Sequence, residues 1–191
     1  MSLTKCTNFL LTINGHLIEP VVGSGPSPVP SVQIGNQIWS RKNLAIDDGG
    51  EGIASVTHNY GHGDVVDYYY TWAAAVRVAA SVQGWHLPTA DEFEALNSYL
   101  GTNPGQKLKS TYGWSNNGNG TDEFGFTGLP AGYYSYGTGF FGEVARFWSS
   151  TTYTSNESKA YYRRLHYSYN TFSYDVENKG VSLSVRLIKD S

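Results

Sequence analysis

Thr89-Ala90-Asp91-Glu92-Phe93-Glu94-Ala95-Leu96-Asn97-Ser98-Tyr99-Leu100-Gly101 carries a helix start, a buried stripe and a helix stop in one uninterrupted run. Thr89 and Glu92 stand at capping-box spacing, Phe93, Leu96 and Leu100 fall on one face, and Gly101 ends the turn. Asp91 and Glu92 occupy the first turn, where carboxylates complement the helix dipole, so their charge has a structural explanation. Upstream, Thr71 can cap an Ala-rich helix running to Ala80, with Trp72, Ala75, Val76 and Ala79 on its inner face. From Gly105 to Ser191 no further helix is expected. Gly, Asn, Ser and Tyr dominate that stretch, and residues 181–188 alternate as a half-buried strand. Two early helices followed by strands and long loops predict an α+β domain.

Further out, the chain divides by composition. Residues 1–22 are expected to hold an N-terminal hairpin about Asn14-Gly15, residues 23–31 form a Gly/Ser/Pro linker, and residues 32–191 form the main domain. That domain opens on a second hairpin, Val32 to Trp39, turning at Gly35-Asn36. With 191 residues, one domain and a short appendage are the default. Charged and aromatic residues each make up 15% and Gly numbers 22, which favours turn-rich and sheet-rich structure over helical bundles. The 15 Tyr suit either recognition surfaces or buried sheet positions.

A net charge of −3 without any Lys/Arg run gives no electrostatic footprint for nucleic acid. No apolar run approaches a membrane span and the start lacks signal-peptide regions, so a soluble chain without membrane insertion is expected. Cys6 is the lone cysteine, which rules out an internal disulfide and is read as incidental rather than as a lipidation site.

A series of short motifs stands in a recognisable order: Gly84-Trp85-His86-Leu87-Pro88-Thr89; Lys107-Leu108-Lys109-Ser110 with Gly113-Trp114; Asn119-Gly120-Thr121-Asp122-Glu123-Phe124-Gly125-Phe126; Leu129-Pro130-Ala131-Gly132; Phe147-Trp148-Ser149-Ser150-Thr151; and Ser184-Val185-Arg186. In these the chain resembles the Fibrobacter succinogenes major paralogous domain family, over about residues 32–190. The resemblance implies a C-type-lectin-like fold with two helices and irregular antiparallel sheets, related to the formylglycine-generating enzymes and commonly displayed on bacterial surfaces. The C-terminal stretch is also similar to the variable proteins of diversity-generating retroelements, which serve phages or bacteria as receptor-binding or display proteins. Adenine randomisation of Asn-type codons cannot yield Lys, Glu, Trp, Met or Gln, and Glu177 is the one such residue in 161–178.

Several constellations carry candidate chemistry. His58 and His62, with Asp64 nearby, have a spacing that suits a metal on a helix, yet Asn59, Tyr60, Gly61 and Gly63 argue for solvated loop histidines. His86 reads as a hydrogen-bonded framework residue. Asn116, Asn119 and Asp122 offer oxygens on a Gly-kinked loop as weak calcium candidates, with structural turns as the favoured reading. The Ca²⁺-sugar triplets of true lectins are absent, and Cys6 supplies no pair for cysteine oxidation. Asp91, Glu92, Glu94, Asp122 and Glu123 suggest no acid–base pair. No cofactor and no catalysis are expected.

The C-terminal surface differs. As a strand, residues 161–168 alternate Tyr161, Arg163, Leu165 and Tyr167 against Tyr162, Arg164, His166 and Ser168. The first set holds the aliphatic residue and matches framework positions, so it is assigned to packing and the second to solvent. Tyr169, Thr171, Ser173, Tyr174, Asp175 and Asn178 are expected to continue through a loop. With Arg146, Tyr153 and Asn156 beside the Phe147–Thr151 motif, they are expected to form one exposed, antibody-like patch. The expected function is a binding or display module for a protein or glycan receptor on another cell or virion, located extracellularly, at the cell surface or on a phage. The rival reading is a structural adhesin or pilus domain without diversification.

Overall fold

The computed structural model describes residues 29–135 and 138–191, together with the backbone of two short strands at 12–13 and 16–17. In chain order the elements are β1 (Thr12–Ile13), β2 (His16–Leu17), β3 (Ser31–Ile34), β4 (Gln37–Ser40), β5 (Ile53–Asn59), β6 (Asp64–Tyr70), α1 (Trp72–Ala80), β7 (Trp85–His86), α2 (Ala90–Leu100) and α3 (Pro104–Leu108). They continue with β8 (Tyr133–Tyr134), β9 (Thr138–Gly139), β10 (Val144–Thr152), β11 (Lys159–His166), β12 (Tyr169–Asn178) and β13 (Ile188–Lys189). Among the described residues every pair of these strands is antiparallel, and with the helices this makes the chain α+β. The N-terminal hairpin expected in residues 1–22 corresponds to the β1–β2 pair; the rest of that segment and most of the 23–31 linker lie outside the described residues.

The helix signals act as written. In α2 the Thr89 hydroxyl accepts from the Glu92 amide at 3.1 Å and the Glu92 carboxylate accepts from the Thr89 amide at 2.7 Å. Phe93, Leu96 and Leu100 are buried, and Gly101 takes a positive φ of 64° at the stop. The α1 helix is capped by Thr71, but its buried face is Ala74, Ala75, Val78 and Ala79, leaving Val76 exposed. Trp72 is drawn aside at the helix start, where its indole N–H donates to the Ser149 carbonyl at 2.8 Å. A helix missed by periodicity, α3, is too short to show one; it starts from Asn103 in the left-handed region and Pro104 in the first turn.

The opening hairpin β3–β4 turns at Gly35, φ 61°, and joins β13 and β7 in a four-stranded sheet of order β3-β4-β13-β7. The C-terminal strand thus closes onto the start of the domain. Residues 182–188 are all buried rather than alternately so, because apolar groups cover both of their sides. Arg186 lies fully buried among them. It donates to the Asn43 side chain at 2.7 Å and to the carbonyls of Ser40, Phe126 and Thr127 at 2.9, 2.6 and 2.8 Å. Burial pushes its pKa down to about 9. One arginine therefore ties residues 40–43 and 126–127 to the C-terminal segment, and these partners serve its N–H groups in place of water.

The segment around His58 is not a loop. Residues 53–70 form the β5–β6 hairpin, which aligns His58 with Val65 and leaves His62 at the exposed turn. His58 is buried, with Nδ1 3.0 Å from Asp67, and Tyr60 donates to the same carboxylate. The expected solvated pair is thus one core histidine and one surface histidine.

The three-stranded sheet β10-β11-β12 lies between two apolar clusters. One side carries Ala145, Phe147, Leu165 and Phe172 against Phe93 and Leu96 of α2 and Leu108 of α3. The other carries Trp148, Ala160 and Tyr162 in the cluster that contains the buried face of α1, Leu183 and Val185.

Candidate functional site

Cross-strand register fixes which residues share a face. Arg146 lies opposite Arg164 and Arg164 opposite Ser173; Trp148 lies opposite Tyr162 and Tyr162 opposite Asp175. On the reverse face Phe147, Arg163 and Tyr174 are aligned. Because apolar cover exists on both faces, the solvent face expected from alternation is not uniform. Tyr162, assigned to the exposed patch, is buried at 3% exposure, its ring edge-on to Trp148. That assignment is corrected: Leu165 marks one apolar face, but α1 supplies a second.

The remaining patch residues divide three ways. Ser168, Tyr169 and Thr171 sit exposed at the β11–β12 turn and the start of β12. Arg146, Arg164, His166, Ser173 and Asp175 share one face of the sheet, where Arg146, Arg164, His166 and Ser173 are partly covered. Tyr174 stands on the opposite face, and Tyr153 and Asn156 flank the β10–β11 turn at the far end; Asn178 ends β12, exposed. They are not one contiguous patch. Nor do 169–178 form a loop, since they make a ten-residue edge strand with Phe172 in the core.

Tyr174 opens on a groove of about 400 Å³ between the first turns of α2 and the β11–β12 ribbon. Tyr161 and Tyr174 form its aromatic side, their centroids 6.4 Å apart, and Tyr153 meets Tyr161 edge-on at 5.5 Å. Asp91 and Glu94 of α2 also line it, as does Arg163. Buried Arg163 donates to Glu94 at 2.5 Å and to the Phe172 carbonyl at 3.1 Å, with its guanidinium carbon 5.4 Å from the Tyr174 ring centre. The hydrogen bond from Arg163 holds the Glu94 carboxyl below its ordinary pKa. The sequence assigns Tyr161 and Arg163 to packing and names Glu94 only among carboxylates that form no acid–base pair. The signal that could have found them was a charged residue, Arg163, within an otherwise apolar-facing set. Rigid aromatic walls beside carboxylates can pack the flat apolar face of a ligand while the carboxylates accept hydrogen bonds from its hydroxyl or amide groups.

On the opposite face, Arg146 donates to Glu177 at 3.3 Å and lies over Tyr133, 4.0 Å from the ring centre. Arg164 has no hydrogen-bond partner among the described residues. The His166 ring nitrogen Nδ1 accepts from the Ser168 amide at 3.1 Å, and burial together with the Arg164 charge lowers its pKa. Along the outer edge of β12, the Asp175 and Glu177 carboxylates accept from the amides of Val176 and Asn178, at 2.8 and 3.0 Å. These acids cap an edge that would otherwise be open to another strand.

The weak calcium candidates are engaged in turns. Asn119 accepts from the Trp114 amide at 3.1 Å, Asp122 accepts from the Thr127 amide and hydroxyl at 2.6 and 2.8 Å, and Asn116 takes a positive φ. His86 is bonded through Nε2 to Glu92 at 2.9 Å and through Nδ1 to Asp190 at 2.7 Å. No helix among the described residues is long and apolar enough to cross a membrane.

Neither the curated proteins nor the solved structures contain a match to this sequence. The family comparison does: residues 32–189 match the Fibrobacter succinogenes major domain, a span covering β3 through β13 together with the buried arginine, the capped helix and both apolar clusters. On that match the chain belongs to the Fibrobacter succinogenes major domain family.

Proposed function

We propose that the domain is a non-catalytic binding module, built on a C-type-lectin-like scaffold, that engages a protein or glycan receptor through its C-terminal three-stranded sheet. The observation that carries this reading is the groove between α2 and the β11–β12 ribbon, where Tyr161 and Tyr174 stand beside Asp91 and the Glu94 carboxylate held by Arg163. Tyr174 is 66% exposed and Tyr169 57%, on a strand whose Phe172 anchors it in the core. Exposed aromatics on a rigid frame offer contact area at low entropic cost. Display at a cell surface or on a phage belongs to the same reading, as does codon-level diversification of the C-terminal segment. The latter requires a reverse transcriptase gene nearby and an imperfect second copy of these codons.

Arrays of glycans and of surface proteins, probed with the wild-type domain and with a Tyr161→Ala/Tyr174→Ala double variant, test the proposal. A ligand bound by the wild type is expected to lose at least about tenfold in affinity in the double variant, as for paired aromatic anchors. Undiminished binding by a correctly folded double variant would overturn it.

A further inference from the structure

Arg146 and Arg164 are direct cross-strand neighbours, an arrangement of like charges that weakens a sheet. Glu177 takes one N–H of Arg146, but the Nε groups of both arginines are buried without an acceptor among the described residues. Stability does not account for this, because an unsatisfied buried donor costs about 1–3 kcal/mol. The Arg164 guanidinium has no carboxylate within ion-pair distance among the described residues. His166 follows two residues later on the same face. Since its Nδ1 accepts the Ser168 amide, the neutral ring carries its proton on Nε2, a second donor without a partner among the described residues.

We infer that this face holds the carboxylate of an acidic sugar between Arg164 and His166, with Ser173 and Asp175 receiving its hydroxyl groups. The Nη edge of the Arg164 guanidinium, unlike its buried Nε, is open to a ligand, and its planar fork matches a carboxylate. Ser173 lies directly across from Arg164 and Asp175 is the next residue of β12 on that face. A ligand with several carboxylates would be repelled by Asp175 and Glu177, whereas one carboxylate among hydroxyls leaves the second oxygen of Asp175 to accept a hydrogen bond. The site faces away from the Tyr161–Tyr174 groove and stands independently of it.

Glucuronate titrated into the isotope-labelled full chain tests the assignment, read by NMR at the arginine Nε–H and His166 ring signals. Saturable shifts of Arg164 and His166 are expected, together with affinity at least about tenfold weaker in Arg164→Gln, the size of a lost charge-assisted pair. Ser173→Ala keeps the strand and the local charge and is expected to weaken binding several-fold, about the effect of one hydroxyl contact. The Tyr161→Ala/Tyr174→Ala variant is expected to bind glucuronate normally, so failure of the groove reading leaves this one standing. Three results would each overturn it: equal shifts from sodium chloride at the same ionic strength, undiminished binding in Arg164→Gln, or equally tight binding of an N-acetylated, amidated glutamate.

Discussion

Lys109 donates from its buried ammonium to the main-chain carbonyl of Tyr169 at 3.3 Å, bridging 60 residues of chain. The same nitrogen donates to the carbonyls of His166 and Tyr167 at 3.2 and 3.3 Å. A buried cation held by neutral carbonyls has its pKa pulled down by desolvation. It is kept by hydrogen bonds to the turn that joins β11 to β12, so the turn carrying exposed Ser168 and Tyr169 is fastened from beneath.

Replacing Lys109 by Met fills the space but leaves three carbonyls without their donor. The loss of stability is expected to be about 3 kcal/mol. Urea denaturation measures it, and amide exchange should rise in residues 166–170 before it rises in α2. A change below about 0.5 kcal/mol, the level of an ordinary surface substitution, would show that the bridge does not fasten the turn.

A separate expectation concerns pH. Burial opposes the charged form of His86, but the hydrogen bonds it donates to Asp190 and Glu92 outweigh it and raise its pKa above 6.5. Burial raises the Glu92 pKa, but the Thr89 main-chain bond and His86 outweigh it, and the net direction is down from 4.5. The folded state therefore holds the His86 proton more tightly than the unfolded chain does. Its stabilising contribution is complete below pH 6.5 and is lost as pH rises through the raised folded value, while that of Glu92 is complete above pH 4.5 and is lost on acidification. The stability difference between wild type and His86→Gln should be largest between these limits and shrink toward pH 9. A difference that grew with pH would reverse the assignment.

Substitution along the C-terminal sheet should separate its faces. Tyr162→Ala, Trp148→Ala and Leu165→Ala remove buried side chains and are each expected to cost about 2–5 kcal/mol. Tyr169→Ala and Tyr174→Ala remove exposed rings and should change stability by no more than about 0.5 kcal/mol. Denaturant midpoints across the five variants decide the matter. Tyr162→Ala behaving like Tyr174→Ala would restore the one-sided sheet that alternation alone suggested.

The sequence by itself determined whatever depends on residues close in the chain. The Thr89–Glu92 capping box, the Phe93, Leu96 and Leu100 stripe, the Gly101 stop and the Gly35 turn are contacts made within one or two turns of backbone, and each appears as read. The order of motifs identified the family in the same way, because it is a property of the string. Tertiary structure decided which surfaces are covered. Tyr162 and Tyr174 are chemically alike, yet one packs on Trp148 and the other faces solvent, since cover for a strand comes from elements distant in the chain. His58 became a core residue only because β5 and β6 pair in a register that brings it to Asp67. The groove likewise exists only where α2 approaches β11, across the Arg163–Glu94 contact, whose partners stand 69 positions apart in the chain. Local hydrogen-bonding and steric preferences are written in adjacent residues, whereas burial is a relation between surfaces that meet only after the chain has closed.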